Sequence, residues 1–134
     1  MARIQINDDN TNHITEILEP SANKGGLFLG NQVAASNMEL IKKHRITCII
    51  TIAAELDNKY PAGIKHRKIS IADEPFVDIY QHFEPNYEFI KKSLSEGNVL
   101  IHCRMGISRS ATLVIAFLMR RYKCGLEKVI LDKL

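Results

Sequence analysis

The chain has 134 residues, of which 46% are hydrophobic and 25% charged, and its net charge is +3. That length predicts one globular domain with a modest core. The mild basicity gives no argument for a nucleic-acid partner. No apolar run approaches the length of a membrane span, and the first five residues lack the apolar core of a signal peptide, so no membrane partner is expected.

Three cysteines, Cys48, Cys103 and Cys124, cannot all pair with one another, and they match no zinc-binding spacing. A reducing compartment is the simpler interpretation, so we expect the cytoplasm, with the nucleus as the alternative. No metal or cofactor is expected. Cys48 and Cys124 are interpreted as structural, while a disulfide between one of them and Cys103 stays open as an alternative.

The first part of the chain predicts an arm followed by short elements. Residues 1–13 are polar and rich in Asn and Asp, which favours a flexible N-terminal arm. Residues 14–18 are predicted as a short edge strand, and residues 27–30 as a strand that ends at Asn31. A short helix that ends at His44 follows.

The remainder alternates strands with helices. A β-branched run at 48–53 predicts a buried central strand, and residues 64–71 predict another strand. Apolar residues at helical spacing then run up to Gly97. Residues 98–102 predict a strand and residues 109–122 a helix that is apolar on most sides, and therefore central and buried. This alternation predicts an α/β fold, with a central, mainly parallel twisted sheet and helices on both faces.

The segment from His102 to Ser110 lies where a predicted strand meets a predicted helix. The first N–H groups of a helix have no intrahelical partner, and with the helix dipole they favour a phosphate dianion. Gly106 permits the backbone angles of a tight anion-binding loop. Arg109, six residues after Cys103, can bind two phosphate oxygens at once. The same positive field would favour the thiolate of Cys103, which is the nucleophilic form.

A phosphate ester also needs a proton for its departing oxygen, which a carboxylic acid on a neighbouring loop can supply. Asp73, Glu74 and Asp78 are the candidates. Asp73 directly follows residues 69–72, the end of the predicted strand, and Pro75 would stiffen its loop. The alternative is that this acid only caps a turn.

These motifs resemble those of a known enzyme family. The run from His102 to Ser110 is similar to the His-Cys-x5-Arg-Ser/Thr signature of the cysteine-dependent phosphatases. Residues 27–31 resemble an early strand, and residues 72–75 resemble the acid loop, of the small stand-alone dual-specificity protein phosphatases. The resemblance covers about residues 14–134 and implies a protein tyrosine phosphatase-like fold in one catalytic domain that is short at its C-terminus.

The resemblance implies a role for each matching side chain. Cys103 is implied to be the nucleophile that forms a phosphocysteine. Asp73 is implied to be the general acid, and then the base that activates water. Arg109 is implied to bind phosphate and stabilise the transition state, and Ser110 to hydrogen-bond the sulfur and help it leave. His102 is implied to orient the loop and favour the thiolate.

Two further expectations concern the phosphate-binding loop itself. Its backbone amides are implied to line the phosphate cup, and they belong to Arg104, Met105, Gly106, Ile107, Ser108 and Arg109. Asn31 is expected to brace this loop. The alternative is that an Asn after Gly is ordinary turn chemistry.

The implied function is hydrolysis of phosphotyrosine and of phosphoserine or phosphothreonine on phosphorylated protein substrates. The chain has no Trp, so it lacks the Trp-Pro-Asp acid loop of the tyrosine-specific phosphatases. Among the loop positions between Cys103 and Arg109, only Arg104 is basic, unlike the lysine-bearing loops of lipid-directed relatives. Two alternatives stay open: a catalytically silent phosphate-binding module, and a sulfur-transfer or arsenate-reducing enzyme with a similar Cys-x5-Arg loop.

The carboxyl end departs from the family pattern. Family members usually continue past the motif helix with a complete helix and then another, whereas this sequence stops at Leu134. We therefore expect the apolar face of the last segment to be partly exposed, and we predict a homodimer through this C-terminal helix. The residues of that face are Leu126, Val129, Ile130 and Leu134.

Overall fold

The computed structural model describes residues 14–52, 63–69, 83–103, 108–125 and 127–128. Its strands are β1 (Ile14–Leu18), β2 (Leu27–Gly30), β3 (Ile46–Ile52), β4 (Lys65–Ile69) and β5 (Asn98–Cys103). Its helices are α1 (Gln32–Ala35), α2 (Met38–Lys43), α3 (Phe83–Glu96) and α4 (Ser108–Tyr122). The predicted arm, and the predicted C-terminal helix apart from residues 127–128, lie outside these ranges.

The five strands form one sheet in the order β1-β2-β5-β3-β4. The pairs β2–β5, β5–β3 and β3–β4 are parallel. The edge strand β1 pairs with β2 in the antiparallel direction. β5 is central, and all of its residues after Asn98 are buried. Parallel strands covered on both faces are apolar along their whole length, which explains the continuous apolar runs of β3 and β5. The predicted mainly parallel α/β sheet is confirmed.

Helices cover both faces of the sheet. On one face, Ile101 of β5 packs in a cluster with Ile90 of α3 and Phe117 of α4. On the other face, Leu100 of β5 packs in a second cluster with Ile41 of α2. Successive side chains of a strand point to opposite faces, so neighbouring residues of β5 contribute to different clusters. None of the helices in the described part of the chain is long and apolar enough to cross a bilayer.

Helix α4 is buried along one face only, which corrects the prediction that it is buried on most sides. Thr112 is exposed and Ile115 is partly exposed. The helix ends where Lys123 adopts a left-handed backbone with φ of 51°, and the Cys124 N–H donates to the Met119 carbonyl at 3.1 Å. This 6→1 bond satisfies one of the last carbonyls of the helix. The buried face consists of Ser110, Leu113, Val114, Phe117 and Leu118.

The amino-terminal end of β5 is tied to its surroundings by Asn98. Its Oδ1 accepts the Gly26 N–H at 2.7 Å, and its Nδ2 donates to the His44 carbonyl at 2.8 Å. The chain approaches itself closely here, because a Cβ atom on Gly25 would lie 1.7 Å from the Gly97 carbonyl oxygen. One side chain therefore joins the segment before β2, the end of α2 and the start of β5.

Candidate active site

The carboxyl ends of three parallel strands meet at one edge of the sheet. Gly30 at the end of β2 is in register with His102, and Ile52 at the end of β3 is in register with Cys103. Ligands of open α/β sheets bind outside this edge. Helix α4 begins at Ser108, so its N-terminal turn follows β5 after four residues of chain. The strand–loop–helix arrangement predicted from the sequence is confirmed at both of its ends.

The structure brings Cys103 and Ser110 together. Both residues are fully buried, and the Cys103 Sγ lies 3.3 Å from the Ser110 Oγ. They are seven residues apart and meet because the first turn of α4 packs against the end of β5. Arg109 precedes Ser110 in that turn and is partly exposed. The serine hydroxyl can donate a hydrogen bond to the sulfur at this distance.

His102 lies in a polar cluster inside the sheet. It is fully buried, and its Nε2 lies 2.7 Å from the Oγ1 of Thr51. The same Thr51 oxygen lies 3.1 Å from the Nε2 of His66 on β4. Burial is the main reason that the pKa of His102 is lowered to about 4. The neighbouring His66 also lowers this pKa, whereas the backbone of Cys103 acts to raise it. The imidazole of His102 is therefore neutral at pH 7, so it can act on the adjacent Cys103 only through hydrogen bonding and not through a positive charge.

Burial and the positive charge of Lys68 lower the pKa of His66. Neither Thr51 nor His66 was singled out as a site residue by sequence reasoning. Thr51 carries one sequence signal, since it is a polar residue inside an otherwise aliphatic buried strand, where a hydroxyl needs a hydrogen-bond partner.

Asn31 follows β2 at the same edge of the sheet and is 8% exposed. It caps α1, because its Oδ1 accepts the Ala34 N–H at 2.9 Å. Its amide oxygen therefore caps a helix, a role that neither the predicted bracing of the loop nor the turn alternative specified. Bracing of the phosphate loop concerns residues 104–107, which lie outside the described residues, and stays a prediction.

Several predicted site residues lie outside the part of the chain that the structure describes. They include Asp73, the candidate general acid, and Arg104, Met105, Gly106 and Ile107, four of the residues predicted to supply cup amides. Ser108 is described as the first residue of α4. Within the described ranges, no three His, Cys, Asp or Glu side chains come together as metal ligands.

None of the three cysteines, all of which lie in the described ranges, forms a disulfide. Cys48 is buried in β3 next to Ser93 of α3, and burial raises the pKa of its thiol although Ser93 acts in the opposite direction. A buried thiol with a raised pKa is a poor nucleophile, which agrees with the structural role predicted for Cys48. Cys124 lies just past α4 and is partly exposed.

Comparison with known proteins decides the family. The model of the family described as dual specificity phosphatase, catalytic domain, matches residues 27–131. The chain belongs to the dual specificity phosphatase family. Among solved structures it is similar to the crystal structure of DUSP15, with a TM-score of 0.72, 34% identity, and coverage of 81% of this chain and 70% of that chain.

Curated relatives extend well beyond the part that this chain matches. Human protein phosphatase Slingshot homolog 3 is 36% identical over 105 residues, which cover 78% of this chain and 16% of that protein. Mouse dual specificity protein phosphatase 19 is 39% identical over 107 residues, which cover 79% of this chain and 49% of that protein. The chain therefore spans half or less of the length of these two relatives.

Proposed function

We propose that this chain is a protein phosphatase domain, residues 14–134, that hydrolyses phosphotyrosine and phosphoserine or phosphothreonine through a phosphocysteine intermediate. The observation that carries this proposal is the 3.3 Å approach of the Cys103 Sγ to the Ser110 Oγ, between the end of β5 and the first turn of α4. Membership of the dual specificity phosphatase family supports the assignment of this pair to catalysis. Phosphorylated proteins are the proposed substrates.

In the first step, the Cys103 thiolate attacks phosphorus while the bond from phosphorus to the ester oxygen breaks. Asp73 gives its proton to that oxygen, so the substrate leaves as a neutral alcohol or phenol. Arg109 and the loop amides bind the three equatorial oxygens, where negative charge is spread in the transition state. The position of Arg109 in the first turn of α4 supports this role, because the helix dipole also favours the dianion there.

In the second step, Asp73 is ionised and takes a proton from water as the water oxygen attacks the phosphocysteine. The sulfur–phosphorus bond breaks and the electron pair returns to sulfur. Ser110 donates a hydrogen bond to the departing thiolate, which the buried contact between the two side chains permits. The products are inorganic phosphate and the regenerated Cys103 thiolate.

The first test is hydrolysis of p-nitrophenyl phosphate by the wild-type protein and by Cys103→Ser. We expect turnover to fall by at least about a thousandfold in Cys103→Ser, because an alcohol is a far weaker nucleophile than a thiolate at neutral pH. Cys124→Ser is the matched control and should keep wild-type turnover. Phosphate release by Cys103→Ser at the wild-type rate would contradict the proposal, and an inactive wild-type protein that still binds vanadate would identify the silent phosphate-binding module.

The second test concerns Asp73, and it separates phosphatase chemistry from the sulfur-transfer and arsenate-reducing alternatives. Asp73→Asn should slow hydrolysis of aryl phosphates with poor leaving groups by about a hundredfold, and hydrolysis of those with good leaving groups much less. The acidic limb of the dependence on pH should change with it. Glu74→Gln is the neighbouring control. An unchanged leaving-group dependence in Asp73→Asn would remove the general acid from the mechanism.

We also propose that the chain self-associates through the apolar face of residues 126–134. Replacing Val129 and Ile130 by serine should convert a dimer to a monomer in sedimentation equilibrium if this apolar face is the interface. A wild-type protein that is monomeric at high concentration would exclude the homodimer.

A further inference from the structure

The hydroxyl of Thr51 lies between two histidine rings, on three neighbouring strands. Its Oγ1 is 2.7 Å from the Nε2 of His102 and 3.1 Å from the Nε2 of His66. Thr51 is in register with His102, and both residues are buried, whereas His66 lies on β4 with an exposed side chain. The contact therefore links the exposed surface of the sheet to the residue that precedes the proposed nucleophile.

The number of protons in this cluster restricts how the bonds can run. A threonine hydroxyl donates one hydrogen and accepts others, so only one of the two Nε2 atoms can accept from Thr51. The other Nε2 must carry a hydrogen and donate it to the Thr51 oxygen. The two rings therefore cannot choose their tautomers independently.

Two arrangements of these hydrogen bonds satisfy that restriction. In one, the Thr51 O–H donates to Nε2 of His102, and Nε2–H of His66 donates to the Thr51 oxygen. In the other, Nε2–H of His102 donates to the Thr51 oxygen, and the Thr51 O–H can donate to Nε2 of His66. In both arrangements Thr51 couples the tautomer of His102 to that of His66.

We propose that Thr51 and His66 are positioning residues that hold His102 in a single tautomer and thereby orient the peptide that carries Cys103. The expected effect of these two side chains on catalysis rests on the proposed function. Their expected effect on the His102 tautomer does not depend on activity. The shape of the Thr51 side chain does not require a threonine here, because valine has the same β-branched shape. Valine would also fill this buried position without a hydroxyl that needs a hydrogen-bond partner. A hydroxyl at this buried position therefore acts through its hydrogen bonds.

The first measurement is the tautomer of His102, read from the ring nitrogen shifts of the histidine-labelled protein by NMR. We expect a single tautomer of His102 in the wild-type protein and a change in the His102 shifts in Thr51→Val and His66→Leu. Thr51→Ser retains a hydroxyl, and the side-chain amide of His66→Gln can still donate, so these two variants should retain the wild-type pattern. His102 shifts that are the same in all five proteins would overturn the inference.

The second measurement is steady-state kinetics on p-nitrophenyl phosphate. We expect kcat to fall by about 3- to 10-fold in Thr51→Val and in His66→Leu, the effect of one hydrogen bond, with KM changed less than about twofold. Thr51→Ser and His66→Gln should restore kcat. If the serine and glutamine variants are as impaired as the valine and leucine variants, only packing is involved and the inference fails.

The two measurements separate this inference from the proposed function. If the wild-type protein hydrolyses nothing, the proposed function fails, while the NMR comparison still decides the hydrogen-bond chain. If Thr51→Val does not fold, His66→Leu remains a complete test, because His66 is exposed on β4 and its replacement leaves the core unchanged.

Discussion

The two ends of β5 differ in the kind of contact that surrounds them. At the amino end, Asn98 binds backbone groups of Gly26 and His44, so its contacts join segments of the main chain. At the carboxyl end, Cys103 contacts Ser110 and His102 contacts Thr51, so these contacts join reactive or titratable side chains. The amino end of β5 thus stabilises the fold, and the carboxyl end carries side chains of the proposed active site. Substitutions at the amino end should therefore lower mainly stability, and those at the carboxyl end mainly activity.

The largest expected effect lies at the amino end, in Gly25→Ala. The new Cβ would lie 1.7 Å from the Gly97 carbonyl oxygen, and neither atom can move without moving the backbone. We expect the free energy of unfolding to fall by more than about 3 kcal/mol, because overpacking against the main chain cannot be relieved by a rotamer change. Denaturant unfolding measures this. The folded fraction should keep wild-type turnover per active site, and a loss of turnover in fully folded protein would break the separation of the two ends.

The acid stability of the protein tests the carboxyl end, where His102 is buried and uncharged. Its pKa in the folded state is about 4, below its ordinary value of 6.5, so the unfolded state binds the proton more tightly between these values. Stability from this residue is complete above pH 6.5 and is lost as the pH falls from 6.5 to 4, by about 3 kcal/mol.

Unfolding of the wild-type protein and of His102→Gln, compared at pH 7 and pH 5, measures this contribution. The wild-type protein should lose more stability than the variant over this interval, since glutamine does not titrate. Equal losses would show that folding does not lower the pKa of His102. A larger loss of stability in the wild-type protein than in His102→Gln would also show that a residue at the carboxyl end of β5 influences stability. The two ends would then differ less sharply.

Asn98→Ala sharpens the comparison with a smaller effect at the amino end. The substitution removes the acceptor for the Gly26 N–H and the donor for the His44 carbonyl, and both partners are partly buried. We expect the free energy of unfolding to fall by about 2 kcal/mol. Ser95→Ala on α3, whose hydroxyl bond is exposed, is the control and should change it little. If both variants are equally stable, the Asn98 contacts do not stabilise the sheet.

The smallest expected effect is Ser110→Ala at the carboxyl end. Loss of the hydroxyl next to the Cys103 sulfur should slow breakdown of the proposed phosphocysteine by about tenfold, equivalent to about 1.4 kcal/mol, since the departing thiolate loses a hydrogen bond. Pre-steady-state kinetics should show a burst of p-nitrophenol followed by the slower steady state. A variant that loses the burst would place Ser110 in the first step instead.

The sequence predicts regular elements well where one physical signal dominates. Helix α3 was expected from apolar residues at helical spacing up to Gly97, and it is observed over Phe83–Glu96. The strand before the motif was expected over residues 98–102 and is observed over Asn98–Cys103. In both cases the signal is local, because periodicity and a terminating glycine are properties of consecutive residues.

Features that depend on distant partners were not accessible from the sequence. Helix α1 has four residues, too few for a periodic pattern, and the side chain of Asn31 was not expected to cap it. The link from His66 through Thr51 to His102 depends on strand order and register across β4, β3 and β5, which no local pattern specifies. The exposure of one face of α4 likewise depends on which elements pack against the helix. The apolar residues of its sequence do not specify those elements.

The antiparallel direction of β1 has a practical consequence for labelling and immobilisation. Ile14 pairs with Gly30 and so enters the sheet at the edge where Cys103 lies, whereas Leu18, Gly25 and Tyr122 line a cavity toward the opposite end. A fluorophore or surface tether attached immediately before Ile14 would hinder the approach of the proposed phosphoprotein substrate to this edge. The same attachment at Tyr122, at the far end of α4, would leave that approach open.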